Sequence, residues 1–192
     1  EAERKPILEA LGQVLAEDVV STLSIPPLAN SAMDGYAVCY TTIEGTDHTT
    51  PKTLQVIGLL AAGQIPQQKV TPGSAMRIMT GAPIPEGADT VVPFEDTDEY
   101  ERKALGSAPI DIAEIKIMVD IPKGSNVRPA GQDIEKGQMV LTKGTLLRPS
   151  EIGVLASLGR DHVEVIRRPV VAIISTGDEL IEPGEPITAG KI

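Results

Sequence analysis

Aromatic side chains and cysteines are almost absent from this chain. It has one Phe, three Tyr and no Trp among 192 residues, so its core must be aliphatic. The single cysteine, Cys39, excludes an internal disulfide and fits a reducing compartment. The two histidines, His48 and His162, are too few for a zinc site of the Cys/His kind. No apolar run approaches the roughly 20 residues of a membrane-spanning helix, and no signal-peptide pattern is present. These absences predict a cytoplasmic protein.

Positive charge is also scarce. Lys and Arg total 17 against 27 Asp and Glu, which gives a net charge of −10. An acidic chain repels polyanions, and this one offers few aromatic rings on which bases could stack. We therefore expect neither a nucleic-acid nor a membrane partner. Glycine and proline are plentiful instead, with 18 and 16 residues, and this excess predicts many turns and short strands.

The pattern of apolar and turn residues predicts a chain with both strands and helices. Pro6 followed by apolar residues predicts a short helix that ends at Gly12. Residues 46–141 predict a compact antiparallel β unit, because short β-forming runs alternate there with turn residues. The acidic residues 95–99 inside it predict a solvated loop. The runs predicted as strands are residues 14–21, 54–60, 75–80, 90–93, 110–119 and 139–142.

The last quarter of the chain has a different pattern. Residues 149–159 predict a helix, with apolar residues spaced along one face and a glycine at the end. Residues 170–174 form an unbroken β-branched run, which is typical of a strand buried on both faces in a parallel sheet. We expect an α/β domain to begin here, and the 192 residues to be a fragment of a longer protein.

Polar residues beside glycines form three candidate sites in the first two thirds of the chain. Asp34 precedes a glycine, and the pair fits either a tight turn or a carboxylate poised for a metal or a water. Thr80 and Gly81 end a predicted strand, or present a hydroxyl and bare amides to an anion. Arg128 and Asp133 fit a surface ion pair, or a bidentate grip of Arg128 on phosphate or molybdate with Asp133 on a metal or a water.

A fourth candidate is the pair Asp178 and Glu179, which directly follows the run at 170–174. Ligands of open α/β sheets bind just past the carboxyl ends of such strands. The same carboxylates could instead cap a following helix. Considered singly, none of the four candidates specifies a function.

Together the segments are far more specific. Residues 30–38 (NSAMDGYAV), 77–85 (RIMTGAPIP), 131–134 (GQDI) and 175–180 (STGDEL) occur in this order. The series resembles the molybdopterin molybdenumtransferase family, called MoeA in bacteria and represented by the gephyrin E domain in animals. The resemblance implies a multidomain, homodimeric enzyme that binds adenylylated molybdopterin and molybdate. It further implies hydrolysis of the phosphoanhydride with Mg²⁺, release of AMP, and insertion of molybdate into the pterin dithiolene.

The resemblance also implies roles for individual residues. Asp34, Thr80, Asp133 and Glu179 match catalytic positions, and Glu179 is in addition the expected metal ligand. Gln132 stands where the family is expected to have Glu, and Ala29 where Asp is common. The positions expected to bind substrate are Ser31, Met33, Gly35, Gly81, Arg128, Gly131, Thr176, Gly177 and Asp178.

The implied fold is multidomain α+β. Residues 1–45 and 142–168 would form a discontinuous, elongated mixed domain, and residues 46–141 an inserted antiparallel β domain. Residues 169–192 would supply the first strand of a truncated three-layer α/β domain that binds molybdopterin. Two other functions stay open: a non-catalytic scaffold of the gephyrin type, and a module that binds phosphate or pterin without catalysis.

Overall fold

The structure is a computed structural model that describes residues 1–104 and 113–192. Contacts between Cα atoms divide the chain into two compact units. We call Glu1–Glu17 with Thr142–Ile192 the terminal unit, and Asp18–Leu141 the sheet unit. In chain order the elements are β1 (Ala2–Pro6), β2 (Val14–Leu15), β3 (Val19–Val20), β4 (Asn30–Ser31), β5 (Gly35–Val38), β6 (Lys52–Leu60), β7 (Ser74–Ile78), β8 (Thr90–Pro93), α1 (Asp98–Ala104), β9 (Glu114–Ile117), β10 (Val127–Arg128), β11 (Met139–Leu141), α2 (Pro149–Ser157) and β12 (His162–Ile166).

The terminal unit is built on a small antiparallel sheet in the order β1-β12-β2. Val163 and Val165 of β12 are buried, because alternate side chains of a strand point to the same face. Helix α2 confirms the predicted helix. Its first turn is closed by Glu151, whose carboxylate accepts a hydrogen bond from the Arg148 amide at 2.9 Å, and its Leu155 is fully buried.

Two predictions for the terminal unit are wrong. No helix starts at Pro6, because that residue ends β1 opposite His162 and is followed by turns. The amides of Glu9 and Ala10 bond to the Pro6 carbonyl at 3.0 and 3.1 Å, but these turns do not extend into a helix, because the amide of Gly12 bonds to the Leu147 carbonyl at 2.8 Å. Residues 170–174 form no strand, and their valines and isoleucines are 73–90% exposed. A strand needs a neighbour for its backbone groups, and none of the described residues pairs with this segment.

The sheet unit contains a five-stranded sheet in the order β8-β5-β7-β6-β9. All neighbours in it are antiparallel except β6 and β7. β8 and β9 are the two edge strands of this sheet. Thr97, which follows β8 in the chain, forms a bridge with Ile117 of β9, so the chain crosses from one edge strand to the other. Strands β3 and β11 pair separately, as do β4 and β10.

Strand β5 lies at the centre of two apolar clusters in the sheet unit. Tyr36 and Val38 belong to one cluster, and Ala37 belongs to the other. Every residue of β5 is buried, which explains why this segment carries no polar side chain apart from the tyrosine hydroxyl. The sheet unit begins at Asp18, before the boundary at residue 46 expected from the sequence, because β5 pairs with β7 and β8.

Most strands predicted for the sheet unit are present with shifted ends. The run at 14–21 is split into β2 and β3, and residues 110–112 of another predicted strand lie outside the described part of the chain. The loop predicted at 95–99 is wrong. Residues Phe94–Asp96 form a 3₁₀ turn, α1 begins at Asp98, and Glu99 is only 3% exposed.

Candidate functional site

The structure joins two of the predicted catalytic residues by hydrogen bonds. Oδ1 of Asp34 accepts one bond from the amide of Thr80 at 2.8 Å and another from its hydroxyl at 2.7 Å. Asp34 directly precedes β5, and Thr80 follows the end of β7 by two residues. Because β5 and β7 are antiparallel, with Gly35 opposite Ile78, these residues lie at the same edge of the sheet, 46 positions apart in the sequence.

The two glycines beside this pair have different structural reasons. A Cβ on Gly35 would lie 2.0 Å from the carbonyl oxygen of Val92, so the close approach of β8 requires glycine there. Gly81 has φ +83°, in the left-handed region that favours glycine. Its amide donates to the Ser31 carbonyl at 2.8 Å. Close packing of β8 therefore accounts for Gly35, and the left-handed backbone accounts for Gly81.

Ser31 and Met33 shape the turn that leads to Asp34. The Ser31 hydroxyl donates to the Met33 carbonyl at 2.5 Å and accepts from the Met33 amide at 3.3 Å. Ser31 is fully buried, whereas the Met33 side chain is 39% exposed. Of these two predicted substrate-binding residues, Ser31 therefore uses its hydroxyl to stabilise the turn, and Met33 has a partly exposed side chain.

The other predicted residues of the sheet unit lie on two adjoining segments. Arg128, exposed in β10, is paired with Asn30, the residue before Ser31. The amide of Gly131 bonds to the Pro26 carbonyl, and that of Asp133 to the Ile25 carbonyl, both at 2.9 Å. Thus Arg128 is linked by β4 to the segment carrying Asp34, while Gly131 and Asp133 are held by the chain that precedes β4.

An open cleft adjoins Gly81 in the same unit. It has a volume of about 220 Å³. Proline and aliphatic side chains, among them Pro27, Leu28 and Ile65, form most of its wall, and the amides of Asn30 and Gln64 add polar groups. A concave, mostly apolar surface with a few polar groups is common in small-molecule sites.

Thr176, Gly177, Asp178 and Glu179 belong to the terminal unit, where all four are exposed. The Glu179 carboxylate lies against the backbone of Gly177, within 2.6 Å of where a Cβ would stand. The Glu179 carbonyl accepts a bond from the Ile192 amide at 2.7 Å. The predicted roles of these residues stay predictions.

A buried ionic cluster beside Asp34 was missed by the sequence reasoning. Arg77 of β7 pairs with Glu99 of α1, with 2.9 Å between Nε and Oε2. The hydroxyl of Tyr36 donates to the same Oε2 at 2.7 Å. Burial, and then the neighbouring carboxylate, raise the pKa of Tyr36 well above its ordinary value. An arginine inside a predicted β run was the available signal, because a buried charge requires a partner.

Metal-ligand clusters and membrane-spanning helices are both absent from the described residues. No group of three or more His, Cys, Asp or Glu side chains in residues 1–104 and 113–192 is arranged to hold a metal ion. None of the helices in that part of the chain, α1 and α2 included, is long and apolar enough to cross a bilayer.

Comparison with known proteins identifies the family. Residues 1–159 match the family model described as the MoeA N-terminal region, domains I and II. The chain is 38% identical to molybdopterin molybdenumtransferase 2 of Mycobacterium tuberculosis over 187 residues, which are 97% of the chain and 44% of the relative. It is 35% identical to the molybdopterin molybdenumtransferase of Bacillus subtilis over 192 residues, covering all of the chain and 43% of that relative.

Solved structures agree with the family match. The molybdopterin biosynthesis MoeA protein from Pyrococcus horikoshii OT3 superimposes with a TM-score of 0.84 at 37% identity, over 99% of this chain and 47% of that one. The chain thus spans less than half the length of the relatives it matches. The match over residues 1–159 includes three of the four motifs, and the two relatives align with 97% and 100% of the chain. Together they confirm the resemblance: the chain belongs to the MoeA N-terminal region family.

Proposed function

We propose that the full-length protein containing this chain is a molybdopterin molybdenumtransferase. It would bind adenylylated molybdopterin, hydrolyse the phosphoanhydride to release AMP, and insert molybdate into the dithiolene. The proposal is supported by the names of the relatives and, in the structure, by one observation above all. That observation is the Asp34 carboxylate held by the amide and hydroxyl of Thr80 at the edge of the sheet.

The chemistry of anhydride hydrolysis suits a carboxylate fixed in this way. The attacking water must lose a proton, and a positioned carboxylate can accept it. Asp34 is the proposed general base, and two hydrogen bonds to the same oxygen hold its orientation. The Thr80 hydroxyl donates a hydrogen bond to Asp34, so the role of Thr80 is to orient the base. The exposed Arg128 would pair with a phosphate or molybdate oxygen.

A divalent cation fits the donors that the chain offers. Mg²⁺ binds to one or two carboxylates and keeps waters and substrate phosphates as its other ligands. Glu179 is the proposed metal ligand, and the neighbouring Asp178 carries a further carboxylate. Since the described residues hold no cluster of three ligating side chains, phosphate oxygens of the substrate would complete the coordination. When bound, the ion would neutralise phosphate charge as the anhydride opens.

The remaining features of the proposal concern the whole protein. The enzyme would be a cytoplasmic homodimer with a multidomain α+β fold. Residues 169–192 would begin a three-layer α/β domain, and Thr176 and Gly177 would contact the substrate there. The apolar cleft beside Gly81 is the proposed place for part of the pterin substrate.

Substitution of Asp34 tests the proposed function. In the full-length protein, Asp34→Asn keeps the shape of the side chain and removes the charge that accepts a proton. We expect turnover, measured as AMP released from adenylylated molybdopterin, to fall by about 100-fold or more, while binding of that substrate is retained. Thr80→Val, which removes only the hydroxyl bond to Asp34, should lower turnover by about 10-fold, and Thr80→Ser should restore it.

The chain offers a matched control for Asp34→Asn. Oδ1 of Asp47 also accepts bonds from neighbouring threonine hydroxyls and amides, but these are the groups of Thr49 and Thr50 rather than those of Thr80. Asp47→Asn should leave turnover unchanged. Wild-type turnover in Asp34→Asn would reject the proposed role of Asp34. Substrate binding without AMP release by the unaltered protein would instead favour the non-catalytic binding module.

A further inference from the structure

Arg77 forms a two-pronged ion pair that is largely removed from solvent. Its Nε lies 2.9 Å from Oε2 of Glu99, and its Nη2 donates to Oε1 at 3.2 Å. The Arg77 side chain is 14% exposed and that of Glu99 is 4% exposed. Burying two charges carries a large desolvation cost. An apolar pair would fill this space with less penalty, so the ionic groups require an explanation.

The remaining nitrogen of the guanidinium points to that explanation. Nη1 of Arg77 donates to the Gly35 carbonyl at 3.2 Å and to the Ile78 carbonyl at 3.1 Å. Gly35 directly follows Asp34, and Ile78 precedes Thr80 by two residues. One nitrogen therefore binds to the ends of both strands, β5 and β7. Asp34 directly precedes β5, and Thr80 lies two residues beyond β7.

Several neighbours keep the guanidinium in this place. It lies between two rings, 5.3 Å from the centre of Tyr36 and 5.6 Å from that of Phe94. The Tyr36 hydroxyl orients Glu99 through its bond to Oε2 at 2.7 Å. The amide of Phe94 in turn donates to the Asp34 carbonyl at 3.2 Å. Phe94, one of the two rings beside Arg77, is thus hydrogen-bonded to the backbone of Asp34.

We propose that Arg77 is a positioning residue, which fixes Asp34 and Thr80 relative to one another while Glu99 of α1 holds its guanidinium. This inference rests on the proposed function, because it concerns the geometry of the proposed general base. A planar fork with several fixed donors can bind Glu99 and the two carbonyls together, whereas the single ammonium of lysine cannot. Arginine is therefore required for more than its charge.

The first experiment separates positioning from charge. Arg77→Lys in the full-length protein keeps the positive charge opposite Glu99 but removes the donors to the Gly35 and Ile78 carbonyls. Because misplacement of a reacting group by about 1 Å can cost roughly 100-fold in rate, we expect kcat to fall by about that factor with KM nearly unchanged. Arg102→Lys is the matched control, since Arg102 also pairs with a carboxylate of α1 and donates to a carbonyl, that of Glu114. Its kcat should match that of the unaltered protein.

The second experiment asks whether Arg77 acts through Asp34. If it does, adding Arg77→Lys to Asp34→Asn should cause little further loss, because residues that act as a unit are not additive. A double variant whose loss equals the product of the two single losses would overturn the proposal. So would wild-type kcat in Arg77→Lys while Asp34→Asn is inactive. Wild-type activity in Asp34→Asn would reject Asp34 as the general base, and with it the positioning role of Arg77, whereas no AMP release by the unaltered protein would reject the proposed function.

A milder variant covers the case in which Arg77→Lys does not fold, which circular dichroism would reveal. Tyr36→Phe keeps the ring beside the guanidinium and removes only the hydroxyl that orients Glu99. We expect kcat to fall by about 10-fold with KM unchanged, as for loss of one orienting hydrogen bond. An unchanged kcat in a folded Tyr36→Phe protein would overturn the positioning role.

Discussion

Replacement of Gly35 by alanine tests whether the close contact between β5 and β8, beside Asp34, is required for the stability of the protein. The new methyl group would stand 2.0 Å from the Val92 carbonyl oxygen, 2.9 Å from the Val92 carbonyl carbon and 3.0 Å from Cα of Pro93. All three neighbours are backbone atoms of β8, so rotation of a side chain cannot relieve the contact.

The size of the effect follows from these distances. Carbon and oxygen atoms in contact stand about 3.4 Å apart, so β8 would have to move away from β5 by about 1.4 Å. A hydrogen bond between the strands would then lengthen from about 2.9 Å to more than 4 Å and be lost. Overpacking costs about 1–3 kcal/mol, and each lost bond costs about 1 kcal/mol. We expect Gly35→Ala to lower the free energy of unfolding by about 3 kcal/mol.

Two other glycines provide matched controls, and urea unfolding followed by circular dichroism provides the assay, since the chain has no Trp. A Cβ on Gly58 would meet only the flexible Met76 side chain, with Sδ at 3.3 Å, so Gly58→Ala should change stability by less than about 1 kcal/mol. A Cβ on Gly153 in α2 would meet open space, so Gly153→Ala should stabilise by about 0.5–1 kcal/mol. Equal stability of Gly35→Ala and Gly58→Ala would refute the reasoning.

Two further predictions concern charged groups outside the Asp34–Thr80 pair, namely Glu99 and Asp47. Glu99→Ala leaves the buried guanidinium of Arg77 unpaired and should lower the free energy of unfolding by about 3 kcal/mol, whereas Glu101→Ala, at an exposed position of α1, should have almost no effect in the same urea assay. Hydrogen bonds, first that from the Thr49 hydroxyl, lower the pKa of Asp47 to about 2 from 3.8. Because the folded-state pKa is the lower one, the stability contributed by Asp47 is complete above pH 3.8 and is lost as the pH falls through 2. The stability difference between the unaltered protein and Asp47→Asn should therefore shrink over that range, and a difference that grows on acidification would contradict it.

Local patterns predicted the features that depend on neighbouring residues. Helix α2 was predicted because its proline start, apolar spacing and terminal glycine all lie within one short segment. The β character of residues 46–141 was predicted for the same reason, since alternation and turn residues are local signals. The strand at 170–174 was predicted wrongly, because a β-branched run specifies a strand only when another strand pairs with it.

The motifs around Asp34 and Thr80 could be recognised in the sequence, and they were sufficient to name the family. Their contact could not be predicted from spacing, because 46 residues separate them and the antiparallel register of β5 and β7 brings them together. The burial of Glu99 could not be predicted from the sequence either. Its acidic neighbours predicted a solvated loop, and its burial depends on Arg77 and Tyr36, which come from two strands distant in the sequence.

The aliphatic core, the local helix and strand tendencies, and the family of the chain could all be predicted from the order of its residues. These depend on residue type and on order along the chain. Tertiary structure alone decided which charged groups are buried and which side chains meet at the sheet edge. The physical reason is that strand pairing and desolvation join residues far apart in the sequence, and their energies depend on distances that no local pattern contains.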